Sequence, residues 1–174
     1  MDKQENSYQK GSWVVHHAHG VGQILGIETR QISGEETSYY HLKIEVSNSH
    51  IWVPVDKLSE DARPIASPEK FQKALAILER PPHPMPSQLN QRTKRIADVR
   101  AQNSPTSLAR LLRDLSARQK ERGVLSQTET DAMRRITQRF LGEWAICMGI
   151  ELEVVEQNLL KRLQRGRQKA AIAD

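Results

Sequence analysis

The chain has 174 residues, 37% of them apolar and 27% charged, a balance that excludes a disordered or fibrous chain. No apolar run approaches the roughly 20 residues that cross a bilayer as a helix, and the polar opening MDKQENSYQK lacks the apolar core of a secretion signal. The net charge of +5 is unevenly spread: residues 1–66 carry six Lys and Arg against nine Asp and Glu, residues 67–174 carry 20 against 12. An acidic first third and a basic remainder suggest two surfaces with different partners, the basic one suited to a phosphate backbone. The same excess is also what solvated helix faces carry, and charge alone leaves both readings open. The single Cys147 has no internal disulfide partner, which fits a reducing cytoplasm.

The first third reads as short strands. Trp13-Val14-Val15-His16 is a β-branched run, and Gly20 and Gly22 mark a turn or bulge before a second strand over Val21 to Glu28. After the polar turn Ile32 to Glu36, Tyr40, Leu42, Ile44 and Val46 alternate with Tyr39, His41, Lys43 and Glu45. Past Ser47-Asn48-Ser49, Ile51, Val53 and Val55 share one face and Trp52 takes the other. Four or five strands, each with a single buried face, predict a small curled sheet or open barrel over 1–66.

From Ser67 the period becomes helical. Ser67-Pro68-Glu69 supplies an N-cap, a proline at the first helical position and an acid in the first turn, ahead of the apolar face Phe71, Ala74, Leu75 and Leu78. Four prolines between Pro81 and Pro86 forbid a helix there. A second helix follows Ser87 to about Arg100, and Ser104-Pro105 opens a third with the stripe Leu108, Leu111, Leu112 and Leu115, closed by Gly123. Ser126 and Glu129 form a capping box before Met133, Ile136, Phe140, Leu141 and Trp144. Gly149 breaks the pattern, and Leu152, Val155, Leu159 and Leu163 mark a last helix with a basic tail. The whole is an α+β chain, a small β domain at 1–66 followed by a compact all-α bundle at 67–174. Neither part has a long heptad seam, so a monomer is expected.

Residue types that carry chemistry are sparse. His16, His17 and His19 lie close in sequence, but adjacent strand residues point to opposite faces and no Cys or carboxylate stands at ligand spacing, so no metal is expected. Cys147 beside Met148 reads as a small buried hydrophobe. No phosphate-binding glycine loop, nucleophile elbow or paired-carboxylate motif is present, which argues against an enzyme and against a cofactor. The basic clusters are the remaining signal. Arg92, Lys94, Arg95 and Arg100 lie on the second helix, with Arg92 and Arg95 one turn apart and able to share a face.

Taken together, these stretches resemble the CarD/CdnL family of bacterial transcription regulators, from about Lys10 to Leu163. The run Gly11-Ser-Trp-Val-Val-His-His-Ala-His-Gly-Val-Gly22, then Gly26-Ile-Glu-Thr-Arg30 and Val53-Pro54-Val55, is similar to the polymerase-interacting module that the family shares with transcription-repair coupling factors. Leu112-Arg-Asp-Leu115 and Glu121-Arg-Gly-Val-Leu-Ser126 resemble the family's helical domain, which coupling factors lack. The resemblance implies a Tudor-like or SH3-like β-barrel that docks on the RNA polymerase β subunit through a strand edge. It also implies a helical domain that touches promoter DNA at the upstream edge of the melted bubble, in a cytoplasmic protein associated with the nucleoid.

Carried over by position, Arg30 matches a polymerase-contacting arginine. Trp52 stands where a second one precedes the Val-Pro pair, and Pro54 completes the set. An outward Trp52 either anchors the partner or covers the end of the barrel. Leu89 occupies the place of the family's Trp wedge, and Leu lacks the π-face whose stacking on a base is worth ~1–3 kcal/mol. Of the neighbouring DNA-binding positions Arg92 and Lys94 match, Gln91 replaces an arginine, and Arg95 extends the cluster. Two alternatives stand beside this reading: nucleic-acid binding by the basic bundle without polymerase, and a protein–protein adaptor that has lost its DNA role.

Overall fold

β-Branched and aromatic runs separated by glycine and polar turns fold into five antiparallel strands. The computed structural model describes residues 8–32 and 34–173, so most of the polar opening segment and Ser33 of the expected turn lie outside the described residues. The chain divides between Ile65 and Ala66 into two compact units. In the first, β1 (Trp13–His16), β2 (Gly20–Ile32), β3 (Glu35–Ile44), β4 (His50–Pro54) and β5 (Ala62–Pro64) form one sheet in the order β4-β3-β2-β1-β5. A single helical turn, α1 (Leu58–Asp61), precedes β5. The two edge strands β4 and β5 are not paired with each other, so the sheet stays open where a closed barrel would join them. The fold is α+β with a Tudor-like sheet.

Alternation sets the buried face of β3, whereas β1 buries Val14, Val15 and His16 in succession and so departs from the single buried face expected of each strand. Val14, Ile24, Tyr40, Leu42 and Val53 pack with Leu58 and Ala62 into a small core, with Ile51 and Tyr8 at its margin. Ile44 is buried as expected, but Val46 and Val55 are not in the core. Both fall beyond the ends of their strands, Val46 in the β3–β4 turn and Val55 after Pro54, where the two-residue period no longer fixes a face. The tight β1–β2 turn has Gly20 at φ +84°, a left-handed conformation that costs a side chain about 1 kcal/mol or more.

One irregularity matters for function. The β2–β3 register shifts between Ile24 and Gly26, leaving Leu25 without a partner. Ile24 faces inward opposite Leu42, and strict alternation would send Gly26, Glu28 and Arg30 inward too. The bulge reverses the parity, pairing Gly26 with His41 and Glu28 with Tyr39, and so turns Glu28 and Arg30 to the outer face.

The second unit holds α2 (Pro68–Leu78), α3 (Leu89–Gln102), α4 (Pro105–Arg122), α5 (Gln127–Met148) and α6 (Leu152–Ala173). Their starts are local chemistry. Ser67 Oγ accepts from Lys70 N, Ser104 Oγ accepts from Ser107 N, and Ser126 with Glu129 completes a reciprocal capping box. The stripes anticipated from the leucines and aromatics meet in one core, where Phe71, Phe140 and Trp144 pack with ring centroids 4.9–6.3 Å apart. Leu152 is the exception: it opens α6 on the exposed side, and the stripe begins with Val155.

A close approach unmarked by any motif joins α6 to α2. A Cβ at Gly166 would lie 2.6 Å from Leu78 O and 2.7 Å from Arg80 O, both backbone atoms that cannot swing aside. Arg162 and Arg165 flank this contact and pair with Glu79 at 2.6 and 3.4 Å. Gly166→Ala is therefore expected to destabilise the helical unit by about 1–3 kcal/mol, as overpacking does, although Ala is the better helix former. Urea unfolding of the two forms, followed by helical circular dichroism, measures the difference.

Candidate functional site

Two surfaces gather the side chains that sequence reading singled out, one on each unit. On the sheet, the outer face over β2, β3 and β4 carries Glu28, Arg30, His41, His50 and Trp52. Glu28 is the hub: Oε2 accepts from Trp52 Nε1 at 2.8 Å and from Arg30 Nη2 at 3.1 Å, and Oε1 lies 2.8 Å from His41 Nδ1. The Arg30 guanidinium sits 4.0 Å from the Trp52 ring centroid, and His41 stacks on the same ring at 4.5 Å with planes 13° apart. His41 Nε2 and His50 Nδ1 share a hydrogen bond of 2.7 Å. The indole hydrogen bond, joined by those of Arg30 and by the charge of His41, holds the Glu28 carboxyl below its ordinary range.

Trp52 thus lies across the outer face, half-buried by His41 and Arg30, and does not enter the core beneath Val53. Arg30 and Trp52, 22 positions apart in sequence, are brought into contact. Pro54 ends β4 opposite Tyr39, half-buried at the sheet edge. Sequence reasoning named Arg30, Trp52 and Pro54 but missed Glu28, His41 and His50, which order them. The available signal was the alternation that put His41 and Trp52 on outward faces; the bulge that adds Glu28 had none.

The histidines of the β1–β2 turn need a correction. The rings of His16 and His17 do come together, stacked at 5.0 Å, and His19 approaches His16 at 4.8 Å. His16 closes β1 opposite Gly20, whereas His17 and His19 lie in the turn, so strand alternation does not set how the three rings approach. Their Nδ1 atoms meet backbone: His16 Nδ1 accepts from Ala18 N, and His17 Nδ1 donates to Asp61 O. Among the described residues no group of three or more His, Cys, Asp or Glu is arranged to hold a metal. Cys147 Sγ donates to Ala66 O at 3.1 Å, and burial followed by the charge of Glu143 pushes its thiol up.

On the helical unit, α3 and its approach carry the second surface. Leu89 is 52% exposed, and Gln91 and Lys94 are also exposed. Arg92 and Arg95 do not share an open face. Arg92 is buried: Nη1 donates to Pro86 O at 2.9 Å and Ser87 O at 2.5 Å, and Nε lies 2.9 Å from Glu129 Oε1, out of line for a hydrogen bond. Arg95, half-buried, pairs with Asp114 and reaches Met85 Sδ at 3.0 Å. Exposed cations elsewhere on the unit include Arg110, Lys120, Arg122, Arg134 and Arg135.

These arginines are drawn inward by two carboxylates with almost no access to water. Asp114 accepts from Arg113 Nε at 2.8 Å, from His83 N at 2.9 Å and from Arg95. Glu129 accepts from Arg118 Nε at 2.8 Å and from the amide and hydroxyl of Ser126 at 3.0 and 2.7 Å. Burial alone would raise the Glu129 carboxyl, but the Ser126 hydrogen bonds and the charges of Arg118 and Arg92 outweigh it and leave it lowered.

The comparisons with known proteins fit this geometry. The chain combines an open antiparallel sheet carrying an ordered outer cluster with a separate compact unit of helices that carries exposed cations. A family model for the CarD-like/TRCF RID domain matches residues 8–66, and one for the CarD C-terminal domain matches residues 73–160. The chain therefore belongs to the CarD-like family, a transcription-associated family of RNA polymerase-interacting, non-catalytic regulators. It is 36% identical over 70 residues to the transcription-repair-coupling factor of Staphylococcus haemolyticus and 34% identical over 71 residues to that of Bacillus subtilis. These stretches make up 38% and 41% of this chain but only 6% of each relative's length. Among the described residues no helix is long and apolar enough to cross a membrane.

A carboxylate held ionised in the folded state ties stability to pH. Because the folded Glu129 carboxyl lies below its ordinary value of 4.5, its contribution is complete above that pH and is lost as pH falls below it. Glu129→Gln, which strands Arg92 and Arg118, is expected to lower unfolding free energy by about 3 kcal/mol at neutral pH. It should also flatten the pH dependence below 4.5. Urea midpoints from pH 7 down to 3 test both; an unchanged slope would show that Glu129 is not the titrating group.

Proposed function

We propose that this chain is a transcription regulator that docks on the RNA polymerase β subunit through residues 1–66. Residues 67–174 then contact promoter DNA at the upstream edge of the bubble and modulate open-complex stability. The observation that carries the docking half is the outer-face cluster, which holds Arg30 against Trp52 beside the open edge strand β4. Arg and Trp are both among the residue types enriched at interface anchors. β4 also offers the better edge for strand addition. It has five residues, whereas β5 has three and ends on Pro64, which has no N–H to give.

The DNA half is supported by the exposed Leu89 at the start of α3, with Gln91 and Lys94 beside it and Arg92 and Arg95 behind. Leu89 is an apolar wedge of the kind that enters a minor groove, and Lys94 is the cation placed to meet a phosphate. A regulator of this type works in the cytoplasm on the nucleoid and acts by binding alone. The adaptor reading has one observation in its favour: two of the three basic residues at this site are engaged by buried acids.

Titration of the full chain against the isolated polymerase β lobe is the deciding experiment. Trp52→Ala and Arg30→Ala are each expected to weaken binding about tenfold or more, the effect of removing an interface anchor. Equal affinity in all three forms would remove the docking assignment. Charge reversal at Lys94 should shorten the open-complex lifetime on a promoter while leaving polymerase affinity unchanged, and no change in lifetime would favour the adaptor.

A further inference from the structure

The start of α3 is poorly secured by its own sequence. Its N-cap, Gln88, makes no side-chain hydrogen bond, its first turn contains no acid, and only Arg92 and Ile96 along its length are buried. The segment before it is the proline-rich run Pro81–Pro86, which offers few N–H groups for anchoring. Nevertheless Leu89 must be held at a fixed place if it is to act as a wedge.

Arg92 supplies the missing constraint. Its Nη1 reaches back to the carbonyls of Pro86 and Ser87, three and two residues before Leu89, and so clamps the entry to the helix. Its Nε meets Glu129, the third residue of α5 and the acid of that helix's capping box. Glu129 also holds Arg118 from the last turns of α4. The start of α3, the end of α4 and the start of α5 thus converge on one carboxylate whose side chain is 1% exposed.

We infer that Arg92 is a positioning residue and not a phosphate ligand: through Glu129 it fixes the turn that presents Leu89 to DNA. The inference rests on the DNA-facing reading of α3 and adds to it the device that holds the site in its binding geometry. A turn ordered beforehand loses less conformational freedom on binding, so loosening it weakens binding without removing a single DNA contact.

The two roles predict opposite signs. Glu129→Gln removes a negative charge from a unit that binds a polyanion, so simple electrostatics predicts tighter binding. Positioning predicts binding weaker by about tenfold, the scale of one lost buried charge–charge contact. Arg92→Lys keeps the positive charge, but an ammonium lacks the fork that serves two carbonyls and a carboxylate together. If Arg92 were a phosphate ligand, Arg92→Lys would retain affinity; as Arg92 holds the turn, Arg92→Lys loses it.

The test titrates the full chain, Arg92→Lys and Glu129→Gln against a forked DNA duplex across a salt series, with amide hydrogen exchange of residues 87–92 measured on the same proteins. The expected result is faster exchange at 87–92 and weaker binding in both variants, with the salt slope unchanged. Affinity retained in Arg92→Lys, tighter binding by Glu129→Gln, or unaltered exchange at 87–92 would each overturn the inference. Arg92→Met, which removes the charge, should likewise leave the slope unchanged, and a fall of about 0.9 would mark a lost phosphate contact and overturn it. Failure of the unaltered chain to bind the fork would overturn the DNA-facing reading itself, while exchange still decides whether Arg92 holds the turn.

Discussion

Two of the buried carboxylates, Asp114 and Glu129, gather the arginines around α3 in the helical unit. An isolated buried carboxylate is costly by several kcal/mol, so each must gather donors, and Asp114 and Glu129 draw side chains and amides from well beyond their own helical turns. Which arginines reach the surface follows from that demand. Arg92, Arg95, Arg113 and Arg118 are drawn to the acids, while Arg110, Lys120, Arg122, Arg134 and Arg135 stay exposed. The Pro81–Pro86 segment and α3 are held to the leucine core by the same pairs, since α3 contributes little apolar surface of its own. Hydrophobic burial gives this unit its stability, while ion pairing determines where its least apolar helix lies.

The sheet unit uses charge differently. Its core is small, seven buried residues with two at the margin, and its outer face is ordered by an acid that remains partly in water. Glu28 does not secure the fold as Glu129 does. It orients an indole and a guanidinium that would otherwise sample many rotamers, and His41 stacks on the result. The bulge at Leu25 makes this arrangement possible, because without the change of parity Glu28 and Arg30 would compete with Tyr40 and Leu42 for the core.

What could be read from the sequence was what short-range chemistry decides. Ser67-Pro68, Ser104-Pro105 and the Ser126–Glu129 box start helices within four residues, and the structure begins α2, α4 and α5 there. The tyrosine and leucine alternation of β3 faced inward as read, up to the point where the strand ends. What could not be read was parity after a bulge, because Leu25 looks like any other strand residue. Burial of Arg92 was equally hidden, since its acid lies 37 positions away and an arginine on a helix usually meets solvent. Arg30 and Trp52 were both named, but their contact depends on strand order, which no local pattern encodes.

The contact at Gly166 bears on where this domain ends as a folding unit. The family match stops at residue 160, yet Arg162, Gly166 and Arg167 reach back to Glu79, to the carbonyls closing α2, and to Ser116 on α4. The final turns of α6 therefore serve as the closing staple of α2, with Arg162 and Arg165 on the Glu79 carboxylate at its C-cap and Gly166 against its last carbonyl. The boundary drawn by shared ancestry and the boundary drawn by packing differ by more than one helical turn. A fragment trimmed to the first would lose the contacts that hold the end of α2, where the chain enters the proline-rich run Pro81–Pro86.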